Sequence, residues 1–350
     1  MKLKFICAPA SGNGGTETVL KKALNHLSKK YQVELYLTTI PVNRLWLDQM
    51  KNVKIHEPHS ESKPYKLFYL LRIFLTARNS DRFIILGANT INLASKIRKI
   101  TKKKYMITSW IHYSLINQNM FNPNNITLAD NHWAISTPIK KQLMDLGINE
   151  NKISLIFNPV DQYAGDLNTP DTSDTLRLVY VGKIMLDGQK NLRELFQGIK
   201  NYSHPVHLDL FGADSSNGEV QDYVNSIGLN SHCTFHGWTK NPWKIIVEEI
   251  HPNALVLTSK YEGLPMVMIE AMSRGIPCLV ADFSGYEDII KKQVNGLVYL
   301  SNNTKDLVQK MYIANENKFK NETIANSISK FNSKNYYLRL DQILEKRTLC

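Results

Sequence analysis

The sequence predicts an α/β protein made of two doubly wound parallel-sheet domains. Three observations point there. Short apolar runs alternate with helical stretches from end to end, the pattern of strand–helix–strand units that close on a parallel sheet. Near the middle, the stretch 162–175, QYAGDLNTPDTSDT, breaks the alternation with Pro, Gly, Thr and Asp and reads as a linker. The chain of 350 residues, 43% hydrophobic, is long enough to bury two separate cores.

KLKFICA reads as the first strand. Too few apolar residues precede Ser11 for a secretory signal. A helix over 16–29, the strand VELYLTT, the strand FIILG and a helix from about Ile91 follow. YMITSWIH, HWAIS and KISLIF complete a first domain, 1–162. LRLVYVG, VHLDLFG, CTFHGW, ALVLTS and PCLVA then build a second, 176–330. In such sheets ligands bind outside the carboxyl ends of the strands. The residues at those ends are Gly12 to Gly15, His112, Ser136, Asn158, Gly182, Gly212, Gly237 and Glu262. No run approaches the roughly 18 apolar residues of a spanning helix. Cys7, Cys233, Cys278 and Cys350 lack metal-ligand spacing and fit free thiols in a reducing cytoplasm.

The net charge of +12 is unevenly spread. Residues 1–162 hold 23 Lys+Arg against 10 Asp+Glu, a balance of +13, whereas residues 163–350 hold 20 against 21, a balance of −1. A lysine-rich genome would load both halves. The asymmetry points to an anionic partner of the first half.

Residues 259–277, SKYEGLPMVMIEAMSRGIP, carry the densest chemical signal. Glu262 and Glu270 lie eight positions apart, and a Gly-Leu-Pro turn leads from the first into an apolar helix carrying the second. Pro265 suits the first helical position and Gly275 the position past the helix end. Amides at Gly263 and Leu264 face the mouth of this turn, where helix amides favour phosphate. Carboxylates accept hydrogen bonds from sugar hydroxyls. A ligand with phosphate in the middle and hydroxyls at both ends satisfies the set, which describes a nucleotide-sugar.

This segment resembles the E-x7-E motif of retaining glycosyltransferases of family 4, which have the GT-B fold: two Rossmann-like domains facing across a cleft. The resemblance implies that Glu262 contacts the donor sugar and Glu270 holds the ribose. YVGKIMLDGQKNL, 180–192, is similar to the family segment that clamps the donor diphosphate. Lys190 falls on the family lysine, while Lys183 stands where the family has arginine, a point charge in place of a fork. The Gly-Gln-Lys string is also similar to lipopolysaccharide 1,6-galactosyltransferases, which implies a UDP-galactose donor. In SGNGGTE, Glu17 replaces the third Gly of G-x-G-x-x-G, so a site of NAD type is disfavoured. The family has a similar turn, and Gly14 and Gly15 would face the diphosphate. His112 maps to a family His facing the donor sugar. IFNPVD resembles the segment before the interdomain linker, where Asn158 would shape the hinge. HGW, 236–238, resembles a loop whose backbone the base rests against, with Trp238 either stacked on uracil or packed in the core. The last segment, FNSKNYYLRLDQIL, resembles the terminal helix, about 331–350, that packs back on the first domain.

These resemblances imply a cytoplasmic, retaining, metal-independent enzyme moving galactose, glucose or an N-acetylhexosamine from a UDP-sugar to a hydroxyl of an envelope glycan or lipid-linked acceptor. The first domain would take the acceptor and the second the donor. His112, Glu262, Lys183 and Lys190 would be catalytic. Gly14, Gly15, Gly182, Gly237, Trp238, Gly263, Leu264, Pro265 and Glu270 would bind the donor. No cofactor or metal is expected, and no D-x-D tripeptide occurs. Two alternatives are a UDP-sugar epimerase on a similar frame, which lacks the E-x7-E string, and a basic nucleic-acid-binding protein, which would need a stacking platform that is not seen. Segment 63–82 places Leu67, Leu70, Leu71, Phe74 and Leu75 at helical spacing among basic residues, with KIRKITKKK at 96–104 nearby. Docking on an anionic inner membrane face is the expectation, against the plainer reading that these residues pack in their own domain.

Overall fold

The computed structural model describes residues 2–8, 15–116, 120–170, 173–214, 216, 218–316 and 319–346. The chain divides into two compact units, 1–159 with 336–350, and 160–335.

In the first unit β1 (Lys2–Cys7), β2 (Gln32–Leu37), β3 (Val53–His56), β4 (Asp81–Ile85), β5 (Met106–Trp110), β6 (Asn131–Ala134) and β7 (Ile153–Leu155) form one sheet, ordered β3-β2-β1-β4-β5-β6-β7. Its helices are α1 (Gly15–Leu27), α2 (Lys63–Leu75), α3 (Ala88–Thr101) and α4 (Thr137–Asp145). In the second unit β8 (Leu176–Val181), β9 (Val206–Phe211), β10 (Cys233–Gly237), β11 (Ala254–Leu257), β12 (Cys278–Ala281) and β13 (Gly296–Tyr299) run in the order β10-β9-β8-β11-β12-β13. Helices α5 (Leu192–Asn201), α6 (Glu219–Ser226), α7 (Pro242–Ile245), α8 (Met266–Met272), α9 (Thr304–Glu316) and α10 (Asn321–Ser327) belong to it, and α11 (Ser333–Lys346) begins in it. Every strand pairing among the described residues is parallel.

Strands covered on both faces read as continuous apolar runs. Ala254 to Leu257 and Cys278 to Ala281 are buried throughout. Lys4 departs from that rule in β1, and its ammonium meets Asp81 of β4 at 2.7 Å, both buried. Beside it Glu34 accepts from Lys2 at 2.9 Å and from the Tyr36 hydroxyl at 2.7 Å. Buried charge survives there because it is paired.

The stretch 162–175 is not the linker its composition suggests. The chain changes units at Pro159/Val160, and the stretch belongs to the second unit. Asn168 is fully buried in it; its amide donates to the Arg274 carbonyl at 2.8 Å and its side chain to the Pro252 carbonyl at 3.0 Å. Pro, Gly and Asp mark irregular backbone, and a strap satisfied by hydrogen bonds needs the same residues as a free linker.

From Tyr336 onward α11 belongs to the first unit. Tyr336, Leu340 and Leu344 are buried, Asp341 meets His26 at 3.0 Å and Lys30 at 2.7 Å, and Arg339 donates to the Ile156 carbonyl at 3.1 Å. Among the described residues no helix is long and apolar enough to cross a membrane. Cys7, Cys233 and Cys278 are free thiols, and burial pushes Cys7 up to about 12; Cys350 lies outside the described residues.

Candidate active site

Ligands of open parallel sheets collect at the point where strand order reverses. In the second unit that point lies between β8 and β11. The loop after β8 carries Gly182, Lys183 and Lys190, and the loop after β11 carries Glu262, Gly263, Leu264 and Pro265. The topology therefore brings the two strongest sequence motifs side by side. Lys190 Nζ lies 2.6 Å from Glu262 Oε1, both largely buried.

Main chain zips the two loops together. The Lys260 amide donates to the Gln189 carbonyl at 2.9 Å, Gln189 Nε2 to the Tyr261 carbonyl at 3.1 Å, and Thr258 Oγ1 to the Lys190 carbonyl at 2.9 Å. Arg193 braces the β8 loop with a two-pronged pair to Asp187 at 2.8 and 2.7 Å. Lys183 is exposed and its ammonium has no partner among the described residues.

Three glycines cap adjacent strands. The Gly182 amide donates to the Phe211 carbonyl and the Gly212 amide to the Gly237 carbonyl, both at 2.9 Å. A Cβ on Gly212 would stand 1.7 Å from the Gly182 carbonyl oxygen, so only glycine fits. Gly237 has φ +66°. The result is a ledge of bare backbone beside Lys183. Trp238 follows it and is 54% exposed, which removes the core reading and leaves an indole free to stack.

Pro265 sits one residue ahead of the expected position. Its ψ of 100° is extended, which makes it the N-cap of α8 rather than the first helical residue. With seven residues α8 has little macrodipole. What the turn offers is the amides of Gly263 and Leu264, which have no acceptor among the described residues. Glu270 lies on α8, and its Oε2 accepts from Trp243 Nε1 at 3.0 Å. Arg274 Nη1 donates to the Glu270 carbonyl at 2.8 Å, and its guanidinium lies over the rings of Trp243 and Tyr163 at 4.9 and 4.8 Å.

The other sequence-marked residues belong to the first unit. His112 falls two positions past the end of β5 instead of ending it. Its ring packs 4.7 Å from that of Trp110, and its Nε2 is buried without a hydrogen-bond partner. Burial pushes its pKa down to about 3, so the imidazole is neutral near pH 7. A neutral ring offers one donor and one acceptor. Gly15 is the exposed first residue of α1, while Gly12 and Gly14 lie outside the described residues. Ser136 is a helix cap, accepting from the Ile139 amide at 3.3 Å. Asn158 is buried just before the change of units, with Oδ1 unpartnered.

Sequence reasoning missed Trp243, Arg274 and Tyr163. Arg274 had a local signal, one helical turn after Glu270. Trp243 had none, being 27 residues from the carboxylate it holds.

The fold is that of a GT-B glycosyltransferase. Residues 169–330 match the family Glycosyl transferases group 1. The chain is 31% identical to the lipopolysaccharide 1,6-galactosyltransferase of Escherichia coli K12, covering 98% of each chain. It is 32% identical to the lipopolysaccharide 1,6-galactosyltransferase of Salmonella typhimurium LT2, covering 95% of each. The solved apo form of the lipopolysaccharide outer core galactosyltransferase WaaB superposes with a TM-score of 0.86 at 29% identity, over 99% of this chain and all of that one. Anabaena HepE, solved with UDP and glucose, shares the fold at 16% identity and a TM-score of 0.79, over 99% of this chain and all of that one. The chain belongs to the group 1 glycosyltransferase family.

Proposed function

We propose that this glycosyltransferase moves a hexose, galactose first among the candidates, from a UDP-sugar to a hydroxyl of a cell-envelope glycan or lipid-linked acceptor, with retention and without a metal. The observation that carries the reading is the Lys190–Glu262 pair at the strand-order reversal of the second unit. Two relatives of nearly full length are lipopolysaccharide 1,6-galactosyltransferases, and a protein of the same fold binds UDP and glucose.

The chemistry follows from charge. An arriving diphosphate competes with Glu262 for the Lys190 ammonium. Once the phosphate takes Lys190, Glu262 is released to accept hydroxyls of the donor sugar. Lys183, the Gly263 and Leu264 amides and the glycine ledge of Gly182 and Gly237 complete the cradle of the leaving diphosphate, with charge stabilisation in the place a divalent ion fills elsewhere. Trp238 stacks on the base and Glu270 accepts from the ribose. His112, Gly14 and Gly15 keep the donor-side roles that the family resemblance implies, and the acceptor hydroxyl attacks from the side the diphosphate leaves. The departing phosphate accepts its proton, so no protein nucleophile is needed.

UDP at 100 times its Kd should stabilise the protein by about 2.7 kcal/mol and raise Tm, whereas an oligonucleotide should not. Slow hydrolysis of UDP-galactose, UDP-glucose and UDP-N-acetylglucosamine, compared side by side, then identifies the hexose. A Tm raised by oligonucleotide and indifferent to UDP would overturn the reading.

The basic surplus of the first half suits an anionic acceptor or lipid headgroups at the inner membrane face. Phe74 of the expected apolar stripe is buried, because α2 turns it toward Phe83 at 5.2 Å, and Ile73 is buried beside it. The exposed apolar residues of α2 are Leu67, Phe68 and Leu75, joined by Ile40, Val42 and Leu45 of the loop after β2. Glu61 ties the two segments, accepting from the Ile40 amide at 2.5 Å and pairing with Lys66. Lys103 is not a free cation, since it donates to the Leu75 and Ala77 carbonyls at 2.6 Å. Val42, Phe68 and Leu75 together changed to Ser should abolish co-sedimentation with anionic vesicles, which should also fade with salt. Equal indifference of the wild type to anionic and neutral vesicles would sink membrane docking.

A further inference from the structure

Glu270 has a side chain of three rotatable bonds, and a carboxylate that grips two neighbouring hydroxyls must hold its plane. On an open helix face that ordering costs rotamer freedom. Here the neighbourhood supplies the order. Trp243 is 8% exposed and its indole, which can only donate, reaches Glu270 Oε2 at 3.0 Å. The indole is itself held. The Arg274 guanidinium lies 4.9 Å from the Trp243 ring centroid and 4.8 Å from that of Tyr163. Arg274 is pinned by its bonds to the Glu270 carbonyl at 2.8 Å and to Ser273 Oγ at 3.1 Å. Tyr163 comes from the strap whose Asn168 amide closes on the Arg274 carbonyl.

We infer that Trp243, seated on an Arg274 guanidinium that Tyr163 also contacts, is a positioning residue that orients the Glu270 carboxylate for a ribose 2′,3′-diol and so sets ribonucleotide selectivity. The inference rests on the ribose role proposed for Glu270. Arg274 adds its cation one turn from the carboxylate; burial holds its pKa below the usual guanidinium range, and attraction to Glu270 works against that loss. A ring stack alone would stabilise the fold, and it would treat every nucleotide alike. Orientation of one carboxylate would not.

That difference is the test. Kd values for UDP and 2′-deoxy-UDP are measured by calorimetry on the wild type and on Trp243→Phe, which keeps a ring over Arg274 and removes the N–H. Wild type should prefer UDP. In Trp243→Phe the affinity for UDP should fall about tenfold, within the worth of a charged hydrogen bond, while the affinity for 2′-deoxy-UDP changes by less than about twofold. Tyr163→Leu should narrow the same preference by about threefold, the scale of one cation–π contact, and serves where Trp243→Phe does not fold. Equal losses for both nucleotides, or no loss of UDP affinity, would overturn the positioning role. A wild type that binds the two nucleotides equally would remove the ribose role of Glu270 and the inference with it, and that outcome is visible before any variant is made.

Discussion

Glu262→Gln is expected to lower kcat by about a hundredfold, equivalent to about 2.7 kcal/mol of lost transition-state stabilisation, while UDP binds at least as tightly as in the wild type. The amide keeps the shape and loses the charge. Lys190, now without its counter-charge at 2.6 Å, is available to phosphate before any ligand arrives. The donor sugar meanwhile loses a charged acceptor, which is stronger than a neutral one. Turnover and UDP affinity should therefore move in different directions. Kd from calorimetry and kcat from a UDP-release assay read the two separately. Some loss of Tm should accompany the change, because a part-buried cation is left unpaired, and UDP should restore it. Wild-type turnover in this variant would sink the assignment of Glu262 to the sugar.

Lys190→Ala should be the more damaging of the two lysine changes, lowering kcat by roughly 10²–10³-fold, the range for removing one preorganised charge or donor from a developing anion. It also leaves Glu262 as an uncompensated carboxylate facing an incoming diphosphate, so KM should rise as well. Lys183→Ala should cost less, since Lys183 is exposed and water screens it. Lys183→Arg should be tolerated. The wild type should stay active in EDTA. Strong inhibition by EDTA, reversed by manganese, would show that lysine charge is not what stabilises the leaving group.

The doubly wound frame was legible because strands buried on both faces have no polar side to confuse the pattern. LRLVYV, ALVL and CLVA announce themselves, and all are strands. The Lys190–Glu262 pair was legible only as two separate motifs 72 residues apart; the sheet order brings them together, and no local pattern states a sheet order. Where a residue's role depends on a distant partner, the sequence was silent. Nothing in the residues around Trp243 or Lys4 marks the Glu270 and Asp81 side chains that they meet. Phe68 and Phe74 look alike in the sequence, yet one faces solvent and the other the core. The strap at 163–168 was misread because its composition reports irregular backbone and says nothing of burial.

The path of α11 has a consequence for how the molecule is made. The second unit is one unbroken stretch, 160–335, whereas the first needs residues on both sides of it. During synthesis β1 to β7 leave the ribosome with Arg82, Ile84, Met106 and Trp133 still lacking Ile343 and Leu344, which line the same cavity in the finished protein. Domains ordinarily mature in the order in which they emerge. Here the unit that begins first is completed only once α11 has been made, and until then its apolar side lacks the cover of Ile343 and Leu344.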